Sequence, residues 1–187
     1  MNSTEKYLVK MIDTVLPKAV AEINSVISRP YWGTINVGEA FERIFSGFAN
    51  DKGFPNDCEG KKGSVVDLYV HRNGSLVQIK TTHPLTKNHK YSFNFCRTSA
   101  SHVDEAVQDV RTKFFRAFNQ YASKSFYMIH HDFKNKKTEL YLLATKDTRV
   151  KFAGKFLNGD HGCMGKDYLV IPKSDFKLVW EKSWVKA

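Results

Sequence analysis

Apolar residues recur at helical spacing near the amino terminus: Tyr7, Leu8, Met11, Ile12, Val15, Ala19, Val20, Ile23 and Ile27 place one continuous stripe on residues 4–28. Pro17 falls inside that stripe and is expected to split or kink the helix. After the turn-rich segment Arg29-Pro30-Tyr31-Trp32-Gly33, Asn36 is placed to cap a second amphipathic helix over 37–49, with Val37, Ala40, Phe41, Ile44, Phe45 and Phe48 inward. Residues 50–63 carry Gly53, Pro55, Asn56, Asp57, Gly60 and Gly63 and are read as a surface loop. The period then changes to that of strands. Residues 64–71 and 75–82 flank Asn73-Gly74, a strong signal for a tight hairpin, and 91–96 alternates as a third strand. A long helix is predicted over 102–122, followed by strands at 125–130 and 139–144 about a polar turn, and by β segments near 168–171 and 177–184. Helices, three strands, a helix and further strands make an α/β protein with a mixed β-sheet flanked by helices.

Composition narrows the classes. The 187 residues, 42% hydrophobic and 26% charged, suit one folded domain of 1–187 rather than a disordered or fibrous chain. Within it we distinguish an N-terminal helical segment 1–30, a core 37–145 and C-terminal β segments 165–187. Three widely spaced cysteines, Cys58, Cys96 and Cys163, offer neither a disulfide framework nor a zinc pair. With no apolar run long enough for a signal core or a membrane span, the expected location is cytoplasmic. A formal charge of +10 favours a polyanionic partner, nucleic acid before an anionic membrane surface.

The hairpin holds the candidate chemistry. With Asn73 and Gly74 as a two-residue turn, Arg72 would face Ser75, Tyr69 would face Gln78, and Asp67 would face Lys80. Parity then sorts Val66, Leu68, Val70, Val77 and Ile79 onto an apolar face, and Asp67, Tyr69, His71, Leu76, Gln78 and Lys80 onto the other. An acid, an amide and an amine converge there. An ordinary cross-strand ion pair between Asp67 and Lys80 is the structural alternative.

The run Val65-Val66-Asp67, followed after ten residues by Gln78-Ile79-Lys80, resembles the PD-(D/E)xK motif of the restriction-endonuclease-like nuclease superfamily. Gly38-Glu39-Ala40-Phe41-Glu42 is similar to the GxxxE helix that precedes the motif in several branches of that family. Glu42 lies beside the apolar stripe and can reach the hairpin, whereas Glu39, the fallback, points nearly opposite. The resemblance covers about half the chain, roughly 37–125. It departs from the pattern at Val66, where the motif has Pro, and at Gln78, where an acid is usual. A glutamine there resembles the end-cleaving endonuclease subunit of some cut-and-paste transposons.

The resemblance implies a restriction-endonuclease-like fold and a Mg²⁺-dependent endonuclease that cuts double-stranded DNA, such as a type II restriction enzyme. Asp67 would be the central ligand, Glu42 a second carboxylate, Gln78 a neutral oxygen ligand, and Lys80 the group that orients the attacking water. A palindromic target would call for a homodimer. Two other readings stay open: a DNA-binding module that no longer cuts, and a transposon, repair or RNA-directed nuclease. Candidate phosphate contacts are Lys61, Lys62, Lys87, Lys90, Arg97, Arg111, Lys113, Arg116, Lys151 and Lys155, with Thr98, Ser99 and Ser101 ahead of the long helix. The runs His130-His131-Asp132 and His161-Gly162-Cys163 lack the partner spacing of a zinc or Cys-His site, and Trp32, Trp180, Trp184, Phe152 and Phe156 read as core or interface.

Overall fold

Asn2 opens the first helix with a reciprocal cap: its side chain accepts from the Glu5 N–H at 2.9 Å and its own N–H donates to Glu5 Oε2 at 2.7 Å. The computed structural model describes residues 1–28, 37–58, 65–82, 92–97, 103–145, 155–157 and 168–184. The capped helix, α1, runs Ser3–Ile27 and buries Leu8, Met11, Ile12, Val15, Leu16, Ala19 and Ile23. It is continuous through Pro17, so the helix is not split there. Pro17 lies on the exposed side, as does Asp13, whose carbonyl cannot accept a helical bond from the proline.

The second helix, α2, spans Val37–Asp51 and packs Phe41, Phe45, Ser46 and Ala49 inward. The segment after it, expected as a surface loop, contains a strand, β1, at Asn56–Cys58. A buried polar knot builds it: Ser46 Oγ donates to Asn56 Oδ1 at 2.7 Å, and the Asn56 N–H donates to Asn50 Oδ1 at 2.8 Å. The strands that follow are β2 (Leu68–Val70), β3 (Ser75–Thr82) and β4 (Ser92–Arg97); after α3 (Val103–Gln120) come β5 (Ser125–Asp132), β6 (Lys137–Thr145), β7 (Lys155–Leu157), β8 (Tyr168–Pro172) and β9 (Lys177–Ser183).

Six strands form one sheet in the order β1-β2-β3-β5-β6-β9, and β4-β8-β7 form a second, antiparallel one. In the large sheet only β3 and β5 run parallel; the other neighbours are antiparallel. The class is therefore α/β with a mixed sheet, as the patterning predicts. Among the described residues no helix is long and apolar enough to cross a membrane.

Two cores sandwich the large sheet. On one face Leu68, Val70, Val77, Ile79, Tyr127, Ile129 and Leu140 meet α1 and α2, with Trp180 and Trp184 at the margin. On the other Leu76, Phe126, Met128 and Tyr141 meet Phe114 and Phe118 of α3. Central position explains why Ser75 through Ile79 are all buried, and the face carrying Gln78 and Lys80 is covered as well as the apolar one.

The hairpin register differs from the expected one by two. Leu68 pairs with Val77, Tyr69 with Leu76 and Val70 with Ser75, so the turn has four residues, 71–74. Gly74 closes it, donating to the Val70 carbonyl at 2.9 Å with φ at +63°, while Asn73 Oδ1 accepts from the Ser75 N–H at 3.0 Å. An even shift keeps side chains on their faces. Tyr69 and Leu76 indeed share one core and Leu68, Val70, Val77 and Ile79 the other, while Val66 leaves its expected set and packs with Leu76.

Candidate active site

Beyond Leu68 the β2–β3 ladder gives way to the side chain of Asp67. The Asp67 N–H donates to the Val77 carbonyl at 3.0 Å, and Oδ2 takes the N–H of Ile79 at 2.6 Å. The carboxylate thus serves a backbone donor of β3 past the last residue of β2. One oxygen is committed to the scaffold, which fixes the orientation of the other.

Glu42 approaches from α2. It is half-buried, whereas Glu39, one helical step away, is exposed and held by Arg43 at 2.7 Å. The helical period thus picks Glu42 over the fallback. Burial and the nearby Asp67 charge push the Glu42 carboxyl up to about 8, with Lys80 partly offsetting them. Burial pushes Asp67 up to about 6, against the opposing pull of the Lys80 ammonium and the Ile79 N–H. Two carboxyls and an amine therefore share one electrostatic neighbourhood. Lys80 is half-buried on β3, two positions from Gln78 and on the same face.

Gln78 is 3% exposed, and among the described residues its Oε1 has no hydrogen-bond partner. A buried acceptor left unmade costs about 1–3 kcal/mol, an expense that structures carry chiefly where a ligand or water completes the bond. The described residues contain no group of three or more His, Cys, Asp or Glu side chains placed to hold a metal. A centre here would have two carboxylates and one amide oxygen. That set fits a hard divalent cation such as Mg²⁺, which takes one or two protein carboxylates and keeps its other positions for water and phosphate.

Of the expected phosphate contacts, Arg116 is exposed on α3, and Arg111 and Lys113 are half-buried on the same helix. Arg97 ends β4 and Lys155 begins β7. Lys61, Lys62, Lys87, Lys90, Lys151, Thr98, Ser99, Ser101, His161, Cys163, Trp32 and Phe152 lie outside the described residues. Trp184 packs at the core margin and donates to Thr138 Oγ1 at 2.7 Å, as a structural tryptophan does.

The histidine pair is buried and hydrogen-bonded. His131 stacks on Phe41, its Nδ1 lies 2.9 Å from Thr138 Oγ1, and burial pushes its pKa down to about 4. His130 sits on the opposite face in a polar group that sequence reasoning missed. Its Nδ1 lies 2.9 Å from Glu139 Oε2 and its Nε2 2.9 Å from Thr82 Oγ1, while Lys173 Nζ donates to Glu139 Oε2 at 2.8 Å. Burial alone would raise Glu139, yet the bonds from His130 and Lys173 hold it well below the usual carboxylate range. No protein-family model, curated protein or solved structure matches this chain.

Proposed function

We propose that the chain is a Mg²⁺-dependent endonuclease of the restriction-endonuclease-like kind that hydrolyses phosphodiester bonds of double-stranded DNA, as a type II restriction enzyme does. The observation that carries this reading is that Glu42 of α2 and Lys80 of β3 act electrostatically on Asp67, just before β2, while Gln78, two positions before Lys80 on the same face, has a buried Oε1 with no hydrogen-bond partner among the described residues. Helix, hairpin and parallel return strand follow one another as the motif resemblance requires, and the charge of +10 suits a polyanionic substrate.

Asp67, with one oxygen tied to Ile79, would hold the cation through the other, and Glu42 would supply the second carboxylate. Gln78 contributes its carbonyl without adding negative charge, which leaves the scissile phosphate less strongly repelled. Bound Mg²⁺ supplies positive charge at the phosphate and lowers the pKa of an attacking water. Lys80 orients that water and neutralises charge that builds on the phosphate oxygens.

The test is incubation of purified protein with long mixed-sequence DNA, with and without Mg²⁺. Discrete Mg²⁺-dependent fragments are expected. The glutamine in place of an acid favours one second reading, a DNA-binding module on the same scaffold. It predicts retarded but uncut DNA under every metal condition.

A further inference from the structure

The sheet register draws a polar row across the face that carries Lys80. Lys80 pairs with His130, His130 with Glu139, and Glu139 with Glu181. Paired positions share a face, with neighbouring strands about 4.8 Å apart. Glu139 gathers the charges: Lys173 Nζ at 2.8 Å and His130 Nδ1 at 2.9 Å approach one oxygen, and Lys137 Nζ at 3.2 Å approaches the other.

This environment assigns the tautomer of His130. A carboxylate only accepts, so Nδ1 carries the proton and donates to Glu139. Nε2 is then bare and accepts from the Thr82 hydroxyl. Lys173 Nζ also lies 3.3 Å from Nδ1, but its shorter bond is to the shared Glu139 oxygen.

The order hydroxyl, imidazole, carboxylate is that of an activated nucleophile. Burial argues against that use, since Thr82 is 5% and His130 2% exposed. What the chain of bonds does is mechanical. Thr82 is the last residue of β3, and its carbonyl also accepts from the Phe133 N–H at 2.9 Å. Lys80 thus lies between two ties: Asp67 to Ile79 on its amino side, and Thr82 to His130 on its carboxyl side.

We propose that Thr82, His130 and Glu139 form a clamp that holds the end of β3 and thereby positions the Lys80 amine for the reaction. The proposal rests on the nuclease reading for the reaction served, but not for the placement of Lys80. His130 and Thr82 are positioning residues.

Thr82→Val removes the hydroxyl at nearly constant volume, and Thr82→Ser restores it. Two measurements on the full chain separate the possibilities. The first is the acylation rate of Lys80 by an N-hydroxysuccinimide ester, read by mass spectrometry without DNA or metal. Thr82→Val should label about tenfold faster and Thr82→Ser within about twofold of wild type. The second is single-turnover cleavage at saturating DNA, where Thr82→Val should be about tenfold slower with DNA affinity unchanged, and Thr82→Ser should recover. Unchanged Lys80 labelling in Thr82→Val overturns the clamp. Faster labelling with an unchanged cleavage rate overturns its service to the reaction. If wild type does not cut, the nuclease reading fails, and labelling alone decides the clamp.

Discussion

Cation binding at this site should expel a proton. Without a cation, the Glu42 carboxyl is pushed up to about 8 by burial and by Asp67, and Asp67 itself is pushed up to about 6 by burial. At pH 7 the first carries about 0.9 proton and the second about 0.1; at pH 9 together they carry about 0.1. A divalent ion held by these two carboxylates would bind their ionised forms only. Mg²⁺ should therefore release about one proton per ion at pH 7 and about a tenth of one at pH 9. The protonation penalty on affinity falls over the same range, so binding should strengthen about tenfold, or 1.4 kcal/mol. Calorimetric titration of DNA-free protein in two buffers of different ionisation enthalpy gives the proton number directly. Glu42→Gln should abolish most of the release at pH 7. Equal affinity at pH 7 and 9 with no release in either buffer would refute the argument, because Glu42 would then not ionise when the cation binds.

Asp67→Asn keeps an acceptor for the Ile79 N–H but loses the charge, so it and Lys80→Met should fold, bind DNA and fail to cut, as circular dichroism, gel retardation and cleavage would report. Gln78→Glu should bind Mg²⁺ more tightly in a DNA-free calorimetric titration and retain cleavage within about tenfold, whereas Gln78→Ala should lose more by deleting the ligand oxygen. The folded-state pKa of His131, about 4, lies below its unfolded value, so the unfolded chain binds more protons between about 4 and 6.5; stability should fall as pH drops through that window. His131→Phe, beside Phe41 and Phe133, should flatten this loss in denaturant melts recorded at pH 7 and pH 4.5.

Periodicity made β3 legible to the residue and distinguished Glu42 from Glu39, because inward positions on strands and helices repeat at fixed intervals. The same alternation assigned Leu68, Val70, Val77 and Ile79 to one core despite a register error of two, since even shifts preserve faces. The error itself has a chemical source. Asn73-Gly74 suits a two-residue turn, but Asn73 spends its side chain on Ser75 and Gly74 closes a wider loop back to Val70. Strand β1 was hidden because Asn56, Asp57 and Cys58 show no apolar alternation; a side-chain knot with Ser46 and Asn50 replaces it. The group around His130 could not be read at all. Its assembly depends on the parallel register of β3 with β5 and on Lys173, 34 positions beyond Glu139. Nothing in local spacing encodes either.

The meeting of an antiparallel hairpin and a parallel return at β3 sets where this chain can change length. Asp67 reaches the Ile79 amide across an interval of 12 residues, and Lys80 follows immediately. Deleting one residue between Leu76 and Lys80 would turn the amine toward the core under α1 and α2, so that interval is arithmetically rigid. The connection from Thr82 to Ser125 carries β4 and α3, whose Phe114 and Phe118 pack on the sheet, so only its segments outside those elements are free of such a count. Insertions and losses can accumulate there without disturbing the carboxylates. Descendants of this chain would diverge in size between β3 and β5 while the hairpin kept its count, so any new surface would arise on the crossover rather than beside the candidate site.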